Sequence, residues 1–257
     1  MKLHFAEYGH GNKTLVILHG LLGSERNWHS LAREMSGELH IYALDLRNHG
    51  ASPHHPAHTI EAMGDDLELF VDDHIHEHFY LLGHSMGGHV AMHYAFRHGE
   101  TLHGLIVEDI APRSYGQGLT KILYAMRDID LTQYTEKKGV DVELAKRVPN
   151  PVVRHFLMTN LVRHENHLSW RVNIPALTEF AENEISRFRA DVGARYEGPT
   201  LFIGGELSDY DLSKEQSLIS HHFPNSKLEI VSGANHWIHF DSKAAFMKLV
   251  LDFINAH

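Results

Sequence analysis

Residues 83–88 read G-H-S-M-G-G, set between the apolar run F-Y-L-L (79–82) and V-A-M-H-Y-A-F (90–96). A buried packing position there would favour Val or Leu, so a hydroxyl among glycines asks for a chemical reason. The stretch 83–87 matches G-x-S-x-G, a sharp strand-to-helix turn with strained backbone. Its glycines remove side chains that would clash as the helix packs against the strand. Such a turn lifts the Ser85 hydroxyl above the sheet edge. It also sets the Met86 amide at a helix N-terminus, where it can donate to an oxyanion.

A serine hydroxyl is a poor nucleophile at neutral pH and needs a general base. The chain holds 25 histidines, so position must choose among them. His236, in S-G-A-N-H-W-I-H (232–239), lies after the last β-rich run and before the last helical pattern. That is where the carboxyl ends of strands in an open α/β sheet form a site. His239 is the competitor; the chain order Ser, acid, His favours His236. The residues leave the orienting acid open: Asp109 in V-E-D-I-A-P, or Asp209 or Asp211 in G-G-E-L-S-D-Y-D. The second oxyanion donor should come from H-G-L-L-G (19–23), the Leu21 amide first and Leu22 as the fallback. The two leucine side chains suggest an apolar pocket wall.

The elements that must position these groups are legible. T-L-V-I-L-H-G (14–20), H-I-Y-A-L-D-L (40–46), F-Y-L-L-G (79–83), L-H-G-L-I-V-E-D-I (102–110), P-T-L-F-I-G-G (199–205) and K-L-E-I-V-S-G (227–233) are β-rich. Several are continuous apolar runs of strands covered on both faces. The N-terminal alternation of Leu3 and Phe5 with polar residues suggests a first strand. Trp28, Leu31, Ala32 and Met35 share one helical face, as do Ile60, Met63, Leu67 and Phe70, and Phe246, Leu249, Val250 and Phe253. The alternation implies a mostly parallel sheet wrapped by helices, an α/β fold. It breaks between 113 and 197, where Leu119, Ile122, Leu123 and Met126, then Phe156, Leu157, Asn160 and Leu161, look helical and prolines punctuate the chain. We expect a helical cap at 113–197 inserted into a core of 1–112 and 198–257.

Composition narrows the function. With 257 residues, 43% hydrophobic, the chain can bury a large core. A net charge of −10 without a basic stripe argues against nucleic acid. No run approaches the roughly 18 apolar residues of a membrane span, and the N-terminus lacks a signal-peptide core; the expectation is a cytoplasmic monomer. The absence of cysteine excludes disulfides and thiol nucleophiles. H-H-P-A-H (54–58) and H-I-H-E-H (74–78) lack zinc-site spacing, so we expect scattered surface histidines, no metal and no organic cofactor. Net charge should then swing between pH 7 and pH 5.

Taken together, the motifs resemble the α/β-hydrolase superfamily over essentially the whole chain. H-G-L-L-G-S-E-R-N-W, D-L-R-N-H-G-A-S-P, G-H-S-M-G-G, V-E-D-I-A-P, W-R-V-N and A-N-H-W-I-H are similar to a narrower group, the small bacterial carboxylesterases active on acyl esters and acyl-CoA thioesters. Mitochondrial α/β-hydrolase-domain proteins are relatives of that group. The resemblance implies an acid after the sixth strand, matched here by Asp109, and a helical cap between the sixth and seventh strands. It also implies a supporting serine, matched by Ser208; this sequence departs by following it with Asp209, a plausible acid in the more usual place. Asp45, Arg47, Asn48 and His49 are read as loop-shaping, Trp170, Arg171 and Asn173 as cap packing, and Trp237 as pocket wall or core. The expected activity is serine-dependent hydrolysis of short to medium acyl esters, with thioesters as further substrates. The alternatives are a carbon–carbon bond hydrolase or lyase on this scaffold, which would want basic residues such as Arg154 or Arg163 in the cap pocket, and a ligand receptor.

Overall fold

The computed structural model describes residues 1–115, 118–183, 190–191 and 193–257. In chain order, β1 (Phe5–Tyr8), β2 (Thr14–Leu18), α1 (His29–Met35), β3 (His40–Leu44), α2 (Ile60–His74), β4 (Phe79–His84), α3 (Met86–His98) and β5 (Leu102–Glu108) come first. Next come α4 (Gly118–Arg127), α5 (Lys137–Ala145), α6 (Pro151–Met158), β6 (Leu161–Arg163), β7 (Leu168–Trp170) and α7 (Ile174–Asn183). The chain closes with β8 (Thr200–Gly205), α8 (Gln216–His222), β9 (Ser226–Val231), α9 (Ile238–Asp241) and α10 (Lys243–Ala256).

Seven strands form one sheet in the order β1-β3-β2-β4-β5-β8-β9. β1 runs antiparallel to β3, and every other pair in this sheet is parallel. The continuous apolar runs become β2, β4 and β8, buried at every position. Strand alternation then divides the core in two. Leu15 and Ile17 face a layer with Trp28, Leu31, Met35, Phe246, Val250 and Ile254, which closes one side with α1 and α10. Val16 and Leu18 face the other, with Met63, Leu67, Phe70, Val90 and Tyr94 of α2 and α3. Each large side chain so buried contributes roughly 1.5–3 kcal/mol of transfer free energy.

The insertion lies between β5 and β8. The sheet has one strand fewer ahead of it than the family count implied, so it separates the fifth and sixth strands of this sheet. It is also not purely helical. Asn150 caps α6 through Val152 and Val153, and Pro151 occupies the first turn, but the helix stops at Met158. Leu161, expected on the helix, opens an antiparallel hairpin with β7, pairing with Trp170. A three-residue strand is too short for its alternation to show in sequence. The stretch 184–189 of the expected cap lies outside the described residues. As expected, Trp170 and Asn173 pack the insertion: Trp170 donates to the Met126 carbonyl, and Asn173 ties to Asn48 through backbone and side chain.

Candidate active site

The G-x-S-x-G segment spans the end of β4 and the start of α3. Ser85 adopts φ 52° and ψ −117°, a strained conformation for a residue with a Cβ. The glycines have a steric reason. A Cβ at Gly83 would sit 2.2 Å from the Gly87 carbonyl oxygen, and one at Gly87 would sit 2.6 Å from the carbonyl oxygens of Leu18 and His19. The backbone is held by Ser85 N–H donating to Glu108 O (3.0 Å) and His89 N–H to Ser85 O (3.1 Å).

His236 meets this elbow from the loop after β9. Its Nδ1 lies 2.7 Å from Oδ2 of Asp109. Asp109 is fully buried and follows β5 at φ 52°, which breaks the strand alternation. A buried carboxylate needs donors: the Gly205 amide supplies Oδ1 at 3.0 Å, and the Ser208 hydroxyl donates to Oδ2. Asp209 lines the cavity mouth on an exposed position and makes no hydrogen bond to His236. Asp211 is a loop residue paired with Ser213 and Lys214. With Nδ1–H donating to the Asp109 carboxylate, His236 keeps Nε2 as the basic atom.

Tyr210, which sequence reasoning did not single out, stacks on the His236 ring at 4.3 Å between centroids and 13° between planes. Burial raises its phenol pKa, as does the Asp109 charge, while a hydrogen bond with Ser85 opposes them. The G-G-E-L-S-D-Y-D loop was read for its acids; the tyrosine gave no signal of its own.

The early loop supplies the second amide. Leu22 sits at φ 63°, and its N–H donates to Nε2 of His49 at 3.1 Å. Leu22 is therefore spoken for, and the fallback assignment is removed. The amides of Leu21 and Met86 have no hydrogen-bond acceptor among the described residues, unusual for buried backbone unless the donors serve another purpose. His49 can accept only when neutral; burial lowers its pKa well below the ordinary value, and its Nδ1 donates to Arg47 O. His19 does the same in parallel, accepting from Leu46 N and donating to Gly20 O. Asp45 organises the adjoining loop through Glu25 N and Ala51 N. Arg47 also shapes the loop, bonding to the Ala57 carbonyl and pairing with Asp66 at 2.6 Å.

The groups converge on a cavity of about 450 Å³. Leu21 and Leu22 form one wall, and Leu119, Ile122, Val153 and Phe156 descend from the insertion. Trp237 is a cavity wall, with Phe156 packed 5.3 Å away. No lysine or arginine is among the described lining residues, whereas Asp209 and Asp241 are. Arg154 pairs with Asp141 and Arg163 with Glu136, both away from the cavity.

Most of the histidines are exposed, as expected, but a minority is enclosed. Among the described residues, His19, His49, His58, His84, His89, His222 and His239 are buried. Burial holds His58 down at about 3 and His89 at about 4, so these groups stay neutral where a surface histidine would titrate. Glu7, His10 and His40 gather at an exposed edge of the sheet, and His84, Glu108 and His239 gather beneath the His236 loop. In the buried group, His239 and Glu108 are hydrogen-bonded to each other, and His84 Nε2 is bonded to the His236 backbone.

Comparison with known proteins shows the family. The sequence profile of the α/β-hydrolase fold family matches residues 13–243. The zebrafish sn-1-specific diacylglycerol lipase ABHD11 is 35% identical over 96% of this chain and 80% of its own length. Esterase YbfF of Escherichia coli is 27% identical over 97% of this chain and 96% of its own. A solved marine microorganism esterase superposes with a TM-score of 0.94 at 35% identity, covering 98% of this chain and 99% of that one. No helix among the described residues is long and apolar enough to cross a membrane. The strained Ser85 elbow on a mostly parallel sheet, matched along nearly the whole chain, places this protein in the α/β-hydrolase fold family.

Proposed function

We propose that this protein is a serine carboxylesterase acting on short to medium acyl esters through Ser85, His236 and Asp109. The observation that carries the reading is the Asp109–His236 contact of 2.7 Å beside a strained serine that opens on an apolar cavity. His236 Nε2 takes the Ser85 proton as the hydroxyl oxygen attacks the acyl carbonyl. The carbonyl oxygen becomes an oxyanion held by the Leu21 and Met86 amides. The C–O bond to the alcohol breaks as His236 returns the proton to the leaving oxygen, and an acyl-Ser85 ester remains. Water, deprotonated by His236, then releases the acid. No step requires a metal or an organic cofactor.

The lining favours neutral apolar acyl groups. Two cavity carboxylates and the lack of a described lysine or arginine disfavour anionic substrates of a carbon–carbon hydrolase. On the same ground the reading ranks uncharged esters ahead of acyl-CoA thioesters. The test is hydrolysis of p-nitrophenyl esters from acetate to palmitate beside acyl-CoA thioesters, with Ser85→Ala as control. Fast turnover of the shorter esters, abolished in a folded Ser85→Ala, supports the reading. Esterase activity that survives Ser85→Ala, or a folded wild type inactive on every acyl substrate, overturns it.

A further inference from the structure

Directly behind the Asp109–His236 pair lies a second carboxylate–histidine pair that the mechanism does not use. Glu108, the last residue of β5, is fully buried. Both its oxygens lie 2.9 Å from Nδ1 of His239, and Oε1 also accepts the His239 backbone N–H at 2.9 Å. His84, the variable residue inside G-x-S-x-G, donates Nε2–H to the carbonyl of His236 at 3.0 Å. The indole of Trp28 stacks on the His239 ring at 4.2 Å. The catalytic loop is thus held at both ends, at the 236 carbonyl by the end of β4 and at the 239 amide by the end of β5.

We propose that Glu108, His239 and His84 form a positioning cluster that fixes the His236 loop and makes turnover depend on the ionisation of Glu108. The inference rests on the esterase reading of Ser85 and His236. The ionised Glu108 takes the His239 backbone N–H on Oε1 and the ring N–H on both oxygens; a proton on Oε2 removes the second ring contact and leaves Oε1 alone, with less negative charge, to hold both donors. Burial pushes the Glu108 pKa up to about 7, and the Asp109 charge adds to this; His84, the His239 backbone N–H and His236 oppose it. Burial, then His236, holds His239 down to about 3 against the Asp241 charge. Burial and the neighbouring histidines His236 and His239 keep His84 neutral, against the pull of Glu108. The titrating member near neutrality is Glu108, and the loop is anchored when it is ionised, on the alkaline side.

The experiment compares wild type, Glu108→Gln and His239→Gln with a p-nitrophenyl ester from pH 5.5 to 9. Rates are normalised to active sites by fluorophosphonate titration, and the downfield proton resonance of the His236–Asp109 hydrogen bond is followed by NMR. Wild type should lose kcat on acidification in a step about as large as the Glu108→Gln loss, since protonated Glu108 gives up the same loop anchor. In Glu108→Gln that step should be missing from the acid limb, kcat at pH 8 should drop about 10- to 100-fold with KM unchanged, and the downfield resonance should broaden or shift. If Glu108→Gln does not fold, His239→Gln must show the same kcat loss and resonance change. Either folded variant with wild-type kcat per active site, an unchanged acid limb and an unchanged resonance overturns the positioning role, even if its Tm is lower. If wild type neither labels nor turns over esters, the esterase reading has failed instead, and the resonance alone decides whether the cluster holds the loop.

Discussion

Asp109–His236 and Glu108–His239 pair consecutive acids with histidines three residues apart, at contacts of 2.7 and 2.9 Å. The polar geometry is nearly the same; the surroundings are not. The His236 side chain is 21% exposed and that of His239 7%. His236 lies under Tyr210, which also contacts Ser85, while His239 lies under Trp28 in the α1 and α10 layer. The comparison teaches that a carboxylate beside an imidazole is not by itself a catalytic device. The difference lies in exposure: the His236 ring is half-buried in a cavity wall that Ser85 shares, whereas Glu108 and His239 are both buried.

The largest effect that would sharpen the contrast comes from the histidines. His236→Ala and Ser85→Ala should each lower kcat by about 10⁴- to 10⁶-fold, against the far smaller loss expected for His239→Gln. Comparable losses at 236 and 239 in steady-state assays would erase the distinction between the pairs. Next come the acids. Asp109→Asn should cost about 10⁴-fold in kcat by fixing the wrong tautomer, and Asp209→Asn should leave kcat unchanged. A loss confined to Asp209→Asn would move the acid to the loop after β8.

Ser208→Ala removes a donor from the buried Asp109 carboxylate. A lost hydrogen bond to a buried charge is worth about 1.5–3 kcal/mol, so kcat should fall about tenfold or somewhat more with little change in KM. A rate at the wild-type level would show that Gly205 and His236 suffice. Stability offers a separate break. His58, His89 and His239 have folded pKa values lowered by burial, to about 3, 4 and 3. The unfolded chain therefore binds more protons than the folded one below pH 6.5. Stability from these groups is whole above that value and is lost as pH falls, each group adding a slope of up to about 1.4 kcal/mol per pH unit. Thermal melts from pH 8 to 5 should show a steep decline starting near 6.5, shallower in His58→Phe; a flat profile would mean that these rings take up protons when folded. The smallest effect is expected at the cavity roof, where Phe156→Ala should raise KM for the longer esters a few-fold without changing kcat for acetate, about 1 kcal/mol, the low end of what a pocket contact discriminates.

Legibility followed the range of the interactions. The elbow is a local event: G-H-S-M-G after an apolar run required a strained turn, and the glycine contacts at Gly83 and Gly87 give its steric basis. The strands and flanking helices were equally readable, since burial imprints its period on β2, β4, α2 and α10. The insertion was less so; its amphipathic helices showed, but its three-residue strands carried too little pattern. Arg47 was legible only as loop-shaping; its partner Asp66 lies on α2, distant in sequence.

The sequence by itself determined the architecture, the nucleophile turn, and a choice of two loops able to bring an acid to the base. Those depend on periodicity and on sterics within a few residues. Only the tertiary structure decided that Asp109 faces His236, that Leu22 is consumed by His49 and Leu21 is not, and that Tyr210 covers the base. It alone showed that His239, a bland neighbour in the chain, is anchored to Glu108. Each of these joins residues distant in sequence, and a hydrogen bond formed or missed over an ångström leaves no periodic trace in the chain.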